Sequence, residues 1–347
     1  MTSDSLDPVD VAARLMEIDS TSGSEGPVVD WMHAFLEGRD WSVMRIPVSP
    51  GRDDVFATVK PARDLPPRLT FSTHLDTVPP FIPPCVDGDV LRGRGACDAK
   101  GIAAAMICAA ERLRDAGEAV ALLFVVGEET AHDGAHAANE LARSLFDGQA
   151  RDTRILINGE PTESTLAVGT KGAMRVFIET AGQAAHSAYP QLGHSATHDL
   201  VHLLAELEAI EWPRDELLGE TTVNIGHLAG GVADNVLAPR AEARLMIRLV
   251  TPAPQVWRLV EQWAGGRASI EQGPTVPPVK LGIVPGFGTS VAAYATDIPA
   301  LGNWGRPFLF GPGSIHVAHR DDEHVYISEL RAAVDAYDRL ARAALGS

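Results

Sequence analysis

Short apolar runs alternate with helical patterns in the first half of the chain. The runs cover residues 69–72, 120–126 and 155–157, and each stops at polar residues. Residues 99–116, between the first two runs, are rich in Ala, Met, Ile and Leu, which suits a helix packed on a sheet face. Strands that alternate with helices favour β-α-β units. We therefore predict an α/β fold with a mostly parallel sheet flanked by helices.

A different pattern begins near residue 171. Apolar residues alternate through Met174, Val176 and Ile178, and alternate again over 223–225 and 243–249. The intervening segment 196–209 has a helical period. These features predict a small α+β unit with an antiparallel sheet.

The boundaries of this unit divide the chain into two domains. Gly and Pro residues over 273–278 resemble a hinge, so we predict an inserted domain over 171–278 and a first domain over 1–170 and 279–347. A chain of 347 residues is also longer than most single cores. The remaining predicted elements are helices over 8–18 and 27–38, a helix after 286–290, a strand over 307–310 and a last helix over 327–344.

Composition narrows the class of protein. The formal net charge of −17 disfavours nucleic acid or an anionic membrane as the main partner. The chain has 3 cysteines, which form no paired framework, and no apolar run approaches the roughly 18 residues of a membrane-spanning helix. We expect a cytoplasmic protein that acts on a small molecule.

Polar residues with catalytic potential follow each of the three apolar runs. His74 and Asp76 come after the first, Glu128 and Glu129 after the second, and Glu160 after the third. The carboxyl ends of parallel strands open onto one crevice, so these side chains should converge there. Such a group of carboxylates needs positive charge nearby, and imidazole and carboxylate ligands suit zinc.

These residues and one late histidine form a plausible site for two divalent ions. His74 and Glu160 would bind one ion, Glu129 and His319 the other, with Asp98 bridging them. Zinc is the first expectation, and cobalt or manganese would accept the same ligands.

Two further carboxylates receive roles beside the ions. Asp76 would orient the ring of His74, and Glu128 would carry the proton from an activated water to the leaving amine. Simpler interpretations stand beside these. His74 could be a loop residue bonded to Asp76, the Glu128–Glu129 pair could be solvated, and Asp98 could only cap the helix that follows it.

The motifs, taken together and in order, resemble the acetylornithine deacetylase and succinyl-diaminopimelate desuccinylase family of dinuclear metallohydrolases, with its related dipeptidases and carboxypeptidases. The motifs are His74-Leu75-Asp76, residues 93–101, Gly127-Glu128-Glu129, Gly159-Glu160-Pro161-Thr162 and residues 311–323. The family pattern selects His319 over His316 and His324, with His324 as the fallback. His132 and His136 are interpreted as rim residues.

The resemblance implies a zinc-exopeptidase-like catalytic domain and an inserted lid and dimerisation domain, hence a homodimer. It assigns His186 to the oxyanion, donated within its own subunit or to a partner's site. It also implies that Asn235 and Arg248 bind the substrate carboxylate, although Arg248 could instead pair with Glu242. Thr289 and Gly313 are implied as pocket-lining positions.

The expected reaction is removal of an acetyl or succinyl group from an N-acyl amino acid such as acetylornithine, acetyl-lysine or acetylcitrulline. A dipeptidase or carboxypeptidase with the same dinuclear site is the alternative. A catalytically silent metal-binding protein and a carrier-protein-linked lysine or ornithine hydrolase rank lower, the latter because an acidic carrier would need a basic patch to dock on a chain of −17.

Overall fold

The chain folds into two compact units. The computed structural model describes residues 6–59 and 67–346. The first unit comprises the chain up to Val168, Leu281–Ser290 and the chain from Thr296 onward, and the second comprises Gly169–Lys280 and Val291–Ala295. No helix among the described residues is long and apolar enough to cross a membrane.

The regular elements are numbered in chain order. The helices are α1 Pro8–Met16, α2 Gly26–Gly38, α3 Lys100–Asp115, α4 Asp133–Leu145, α5 Ala196–Ala205, α6 Ala253–Ala264 and α7 Ile327–Leu345. The strands are β1 Trp41–Ser49, β2 Arg52–Val59, β3 Leu69–His74, β4 Cys85–Asp87, β5 Val90–Arg92, β6 Val120–Val125, β7 Ile155–Asn158, β8 Leu166–Thr170, β9 Gly172–Ala181, β10 Arg214–Asp215, β11 Gly219–Glu220, β12 Thr222–Gly230, β13 Arg240–Leu249, β14 Ser269–Val276, β15 Val279–Lys280, β16 Thr289–Ala292, β17 Arg306–Leu309 and β18 His324–Tyr326.

The main sheet of the first unit has the strand order β1-β2-β6-β3-β7-β17. Strands β6, β3, β7 and β17 pair in parallel, while β1 and β2 form an antiparallel hairpin at one edge. Every residue of β3 and β6 is buried, as is usual for a sheet covered on both faces. This arrangement confirms the predicted α/β fold with helices on the sheet.

Helix α3 packs closely against the sheet because small residues line it. Its buried residues include Ala103, Ala104 and Ala105, and it contacts α1, α7 and strands β3 and β6. A Cβ on Gly101 would lie 2.1 Å from the carbonyl oxygen of Ala96, so only glycine fits there. The loop before α3 is therefore held tightly against the first turn of the helix.

The second unit contains the predicted antiparallel sheet, in the order β12-β13-β9-β14. Helices α5 and α6 pack on one face, where Val176, Leu200 and Val256 belong to one buried apolar cluster. Residues of β9 and β13 alternate between buried and more exposed positions, which leaves the second face of the sheet more open. Strand β12 forms one edge and is exposed over nearly its whole length.

The main difference from the sequence prediction lies after Ser290. The helix expected there is wrong, because Thr289–Ala292 forms the strand β16 instead. The hairpin β1–β2 and the helices α4 and α6 were not predicted, whereas the helices near the chain start, α3, α5 and α7 lie where their apolar periods place them.

Candidate metal centre

His74 is the last residue of β3 and is buried. Its Nε2 lies 3.0 Å from Oδ1 of Asp98, and its Nδ1 lies 2.9 Å from the main-chain oxygen of Asp76. The Asp76 carboxylate is farther from Nδ1, at 3.5 Å. Both the main-chain carbonyl and the carboxylate of Asp76 therefore lie beside Nδ1 of His74, and the expected role of Asp76 in orienting the imidazole stays a prediction.

Asp98 lies in the loop before α3 and joins two histidines. Its Oδ1 faces His74 as described above, and its Oδ2 lies 3.3 Å from Nε2 of His319. The helix cap considered from the sequence is not its role, because Ala99 is the N-cap residue and no side chain caps α3. The Asp98–Ala99 peptide bond is cis. Asp98 thus presents one carboxylate oxygen to each of two imidazoles, as a bridging ligand would.

Glu128 and Glu129 occupy the turn that follows β6. Gly127 begins this turn with φ +75°, and the Asp76 carboxylate accepts the main-chain N–H groups of Glu128 and Glu129 at 3.1 and 3.2 Å. The Glu129 carboxylate reaches Nε2 of His319 at 2.9 Å. The side chains of Glu128 and Glu129 are mostly buried and their backbone is anchored to Asp76, so this is not a solvated pair.

Glu160 follows β7 and is buried. Its Oε1 has no hydrogen-bond partner within the part of the chain that the structure describes. An isolated buried carboxylate oxygen is costly, so a missing cation would explain its position.

His319 has φ +65° and side-chain exposure of 48%, so it reaches the site from a strained turn at the surface. In the described part of the chain, the alternatives His316 and His324 form no hydrogen bond with the candidate ligands. His316 is exposed, while His324 lies on β18 and bonds through Nδ1 to the main-chain oxygen of Asp322. The histidine selected from the sequence is thus the one next to Asp98 and Glu129.

The electrostatics of this group indicate a deficit of positive charge. Burial raises the pKa of Glu160 and of Glu128 well above the usual value, and mutual carboxylate repulsion adds to the effect. Hydrogen bonds with Asp98 and Glu129 raise the pKa of His319 to about 10. These carboxylates therefore favour positive charge beside them, which a bound divalent cation would supply.

The potential ligand atoms of His74, Asp98 and Glu129 lie within 4.8 Å of one another. Together with the bonds to His319, this places three of the four other candidate ligands around Asp98. Glu160 joins them electrostatically, because its charge raises the pKa of His74. Nitrogen and oxygen donors in this combination fit divalent transition metals.

Other predicted site residues lie in the second unit. Ala188 donates its main-chain N–H to Nδ1 of exposed His186 at 3.1 Å, which places the ring proton on Nε2 in the neutral form. Asn235 is next to it, since its main-chain oxygen accepts the N–H of Ser187 at 2.9 Å. Arg248 lies on β13 and is partly buried without an ion-pair partner among the described residues, so it does not pair with Glu242.

The last two predicted positions belong to the first unit. Thr289 begins β16 and is exposed. Gly313 is buried at φ +82°, where a Cβ would lie 2.6 Å from Cβ of Cys97. Gly313 therefore supports the loop of Asp98, besides any role in lining a pocket.

Sequence reasoning missed two supports of the site. Oε1 of buried Glu323 accepts the N–H groups of Gly95, Cys97 and Asp98 at 2.9, 3.3 and 3.2 Å, and its Oε2 pairs with Arg94 at 2.6 Å. Glu323 belongs to the motif that selected His319, but the sequence analysis assigned no role to Glu323 itself.

The second support is a histidine-aspartate pair beside Glu128. Nδ1 of His132 lies 2.8 Å from Oδ1 of buried Asp297 and 3.8 Å from Oε1 of Glu128. His132 is therefore deeper than the rim position expected for it. No local sequence signal links residues so far apart as His132 and Asp297.

The chain is similar in sequence and in fold to several known proteins. A relative named probable carboxypeptidase, from Aspergillus terreus, is 37% identical over 372 residues, which cover 95% of this chain and 85% of the relative. A tripeptidase structure from Staphylococcus aureus has a TM-score of 0.81 at 18% identity and covers 99% of both chains. A Bacillus subtilis structure described as a dinuclear metal-binding peptidase has a TM-score of 0.70 at 17% identity, with 98% of both chains covered.

The structural similarities confirm the fold, and a match to a family model identifies the family. These comparisons do not single out the deacetylase and desuccinylase group named from the sequence, and the carboxypeptidase relative is closer to the alternative. The model of peptidase family M20/M25/M40 matches residues 70–343, so the chain belongs to this family of metallohydrolases.

Proposed function

We propose that this chain is a metal-dependent exopeptidase that hydrolyses the peptide bond before a C-terminal residue with a free carboxylate, in dipeptides or short peptides. The observation that carries the proposal is the position of Asp98, whose two oxygens face His74 and His319 at 3.0 and 3.3 Å. The carboxypeptidase named among its relatives favours peptides. Hydrolysis of an N-acyl amino acid is the second candidate, because that bond is also an amide next to a free carboxylate.

The residues present fit a pair of divalent ions. His74 and Glu160 would hold one ion, Glu129 and His319 the other, and Asp98 both. The partnerless Oε1 of Glu160 and the raised pKa values of the buried glutamates supply the reason, since a cation would neutralise them. Such ions, when bound, polarise the scissile carbonyl and favour deprotonation of water. Zinc remains the first expectation, with cobalt or manganese as alternatives.

Glu128 is the proposed proton carrier. Its side chain is mostly buried, at 11% exposure, and burial raises its pKa, which suits a group that must both accept and return a proton near neutral pH. It would accept a proton from the attacking water and donate it to the nitrogen that leaves as the C–N bond breaks. Asp76 holds the backbone of Glu128, so the point from which the Glu128 side chain extends is fixed.

Residues of the second unit would bind and polarise the substrate. Nε2 of His186 would donate to the developing oxyanion, because its Nδ1 already accepts from Ala188. Arg248 has no acidic partner among the described residues and would bind the substrate carboxylate, with Asn235 beside His186 as a further donor. Thr289 and Gly313 would line the substrate pocket.

Release of free amines from a matched substrate panel tests the proposal. The zinc-loaded protein is assayed on dipeptides, on tripeptides with a free or an amidated C-terminus, and on N-acetyl amino acids. We expect turnover of the free-carboxylate peptides and loss of turnover on amidation. Preference for N-acetyl amino acids would move the assignment to the second candidate, and bound zinc with no turnover on any amide would contradict hydrolysis altogether.

Glu128→Gln provides the control for the chemistry. It should keep bound zinc and lower kcat by roughly 10²- to 10⁴-fold, because the amide cannot carry the proton. The matched variant Glu140→Gln changes an exposed glutamate on α4 and should leave kcat unchanged.

A further inference from the structure

The open face of the sheet in the second unit carries a group of arginines. Arg175 on β9 and Arg244 on β13 are exposed, whereas their chain neighbours Val176 and Leu245 are buried against the helices. The alternation of a strand therefore directs both arginines to the face opposite α5 and α6.

The strand register brings a third arginine to the same place. Arg175 lies directly opposite Met246, and Arg244 and Arg248 flank Met246 on β13. Diagonal neighbours of this kind have Cα atoms about 7–8 Å apart. Guanidinium groups thus surround one methionine side chain on this face.

Nearby carboxylates neutralise the positive charge of this group only in part. Among the described residues, neither Arg175 nor Arg248 lies within ion-pair distance of a carboxylate, and Arg244 approaches only Glu242, at 3.8 Å. Glu242 is already shared with His227 at 3.3 Å and Arg240 at 3.7 Å. In a chain with a net charge of −17, such a group marks a place where an anion is favoured.

A cavity of about 380 Å³ lies between these side chains. Arg175, Arg244 and His227 line it with charge or potential charge, and Phe177 and Met246 provide an apolar floor. The wall formed by β12 contains a bulge between Ile225 and His227, where Gly226 has no side chain to fill the space. The cavity therefore combines cations, an apolar surface and an exposed strand edge.

We propose that this cavity binds a short acidic peptide. Carboxylate side chains of the peptide would pair with Arg175 and Arg244, its apolar atoms would cover Phe177 and Met246, and its backbone would lie beside the edge of β12. None of the residues that line the cavity is assigned to metal binding or to proton transfer, so binding there can be measured in a protein that does not hydrolyse peptides.

Two other ligand classes fit less well. A small inorganic anion would leave the apolar floor uncovered. A nucleic acid would meet the carboxylates of Glu179, Glu242 and Glu271, which line the neighbouring depression on the same face. A short acidic peptide covers the apolar floor while it pairs with the arginines, and its few carboxylates need not extend to Glu179 and Glu271 in the neighbouring depression.

Binding of fluorescein-labelled tetraglutamate, measured by fluorescence anisotropy, tests the site. The full-length protein carries Glu128→Gln, so that the probe is not hydrolysed and a failure of binding is distinct from a failure of the proposed function. Arg175→Gln and Arg244→Gln should each weaken binding roughly fivefold, and Arg175→Lys should retain most of it because the charge remains. The control variant is Arg258→Gln. Arg258 is an exposed residue of α6, which packs on the other face of the sheet, so this change should have no effect on binding.

The proposal would be overturned by equal binding of tetraglutamine, by equal losses in Arg258→Gln, or by insensitivity to both cavity variants. Displacement by inorganic phosphate as readily as by unlabelled tetraglutamate, at matched ionic strength, would also overturn it in favour of a simple anion site. Arg175 and Arg244 are both exposed, so their glutamine variants should fold, which circular dichroism of each variant verifies.

Discussion

The main-chain N–H of Glu128 donates a hydrogen bond of 3.1 Å to Oδ1 of Asp76. The other oxygen of the same carboxylate accepts from the N–H of Glu129 at 3.2 Å and from the hydroxyl of Ser22 at 2.8 Å. One side chain after β3 therefore holds the turn after β6. Asp76 determines the positions of the proposed proton carrier and of a proposed ligand at once.

Asp76→Asn should lower activity without unfolding the protein. Asparagine keeps the size and one acceptor oxygen, but its NH₂ group cannot accept a main-chain N–H, so one of the two amide anchors is lost. We expect a loss of roughly 10- to 100-fold in kcat or in zinc affinity, the range found when partners of metal ligands are changed. Kinetics and competitive zinc titration measure both. Asp335→Asn, at an exposed aspartate, is the control, and parental kcat and zinc affinity in Asp76→Asn would refute the anchoring role.

Glu323→Gln should damage both stability and metal binding. Glu323 and Arg94 form a buried ion pair, and breaking such a pair from one side leaves an uncompensated charge that costs about 3–5 kcal/mol. The N–H groups before α3, including that of Asp98, would also lose a charged acceptor. Urea unfolding of the metal-free protein measures the first effect and zinc titration the second.

The double variant Arg94→Met/Glu323→Gln separates the two effects. Removing the buried charge should restore much of the free energy of unfolding, whereas zinc affinity should stay reduced because the loop of Asp98 still lacks its carboxylate. Recovery of zinc affinity together with stability would show that Glu323 acts only on the fold.

Proton release should accompany zinc binding. In the metal-free protein, hydrogen bonds with Asp98 and Glu129 raise the pKa of His319 to about 10, so the imidazole is protonated at pH 7.5. A metal ligand must be neutral, so binding expels this proton, and zinc affinity should rise with pH. Because this pKa is raised on folding, the stabilisation of the metal-free fold from His319 is complete below pH ~6.5 and is lost as pH rises toward 10.

Calorimetric titration with zinc at pH 7.5, in two buffers of different ionisation enthalpy, counts the protons released. His319→Gln should release about one proton fewer than the parent, while His136→Gln, at an exposed histidine of α4, should release the same number. An unchanged count in His319→Gln would mean that this imidazole is already neutral before zinc binds.

Much of this site could be predicted because parallel strands align their carboxyl ends. His74 ends β3, and Glu129 and Glu160 follow β6 and β7, so the fold class alone implied that they meet. Asp98 was ambiguous, because aspartate before a helix is also a common cap. The structure excludes the cap because Ala99 is the N-cap residue of α3, and the position of His319 beside Asp98 could not be read from any apolar pattern.

The parts that could not be predicted depend on distant contacts. The pairing of His132 with Asp297 leaves no trace in local sequence. The pattern of the short segment Thr289–Ala292 suits a strand or a helix. It forms a strand because its β-branched residues pair in a sheet. Nothing in the local sequence links Arg175 with Arg244, since only the register of β9 and β13 brings these two arginines together.

Gly313→Ala should destabilise the protein and weaken zinc binding, and a matched glycine separates the causes. Gly313 and Gly88 both have positive φ, +82° and +58°, so alanine at either position pays a backbone cost of roughly 1–2 kcal/mol. A Cβ at Gly88 meets nothing within 4 Å, whereas at Gly313 it would lie 2.6 Å from Cβ of Cys97, next to Asp98. We expect Gly88→Ala to leave zinc affinity unchanged and Gly313→Ala to lose about 1–3 kcal/mol more stability from overpacking, with weaker zinc binding. Adding Cys97→Gly removes the clashing atom and should recover zinc affinity relative to Gly313→Ala alone; if it does not, steric displacement of the Asp98 loop is not the cause.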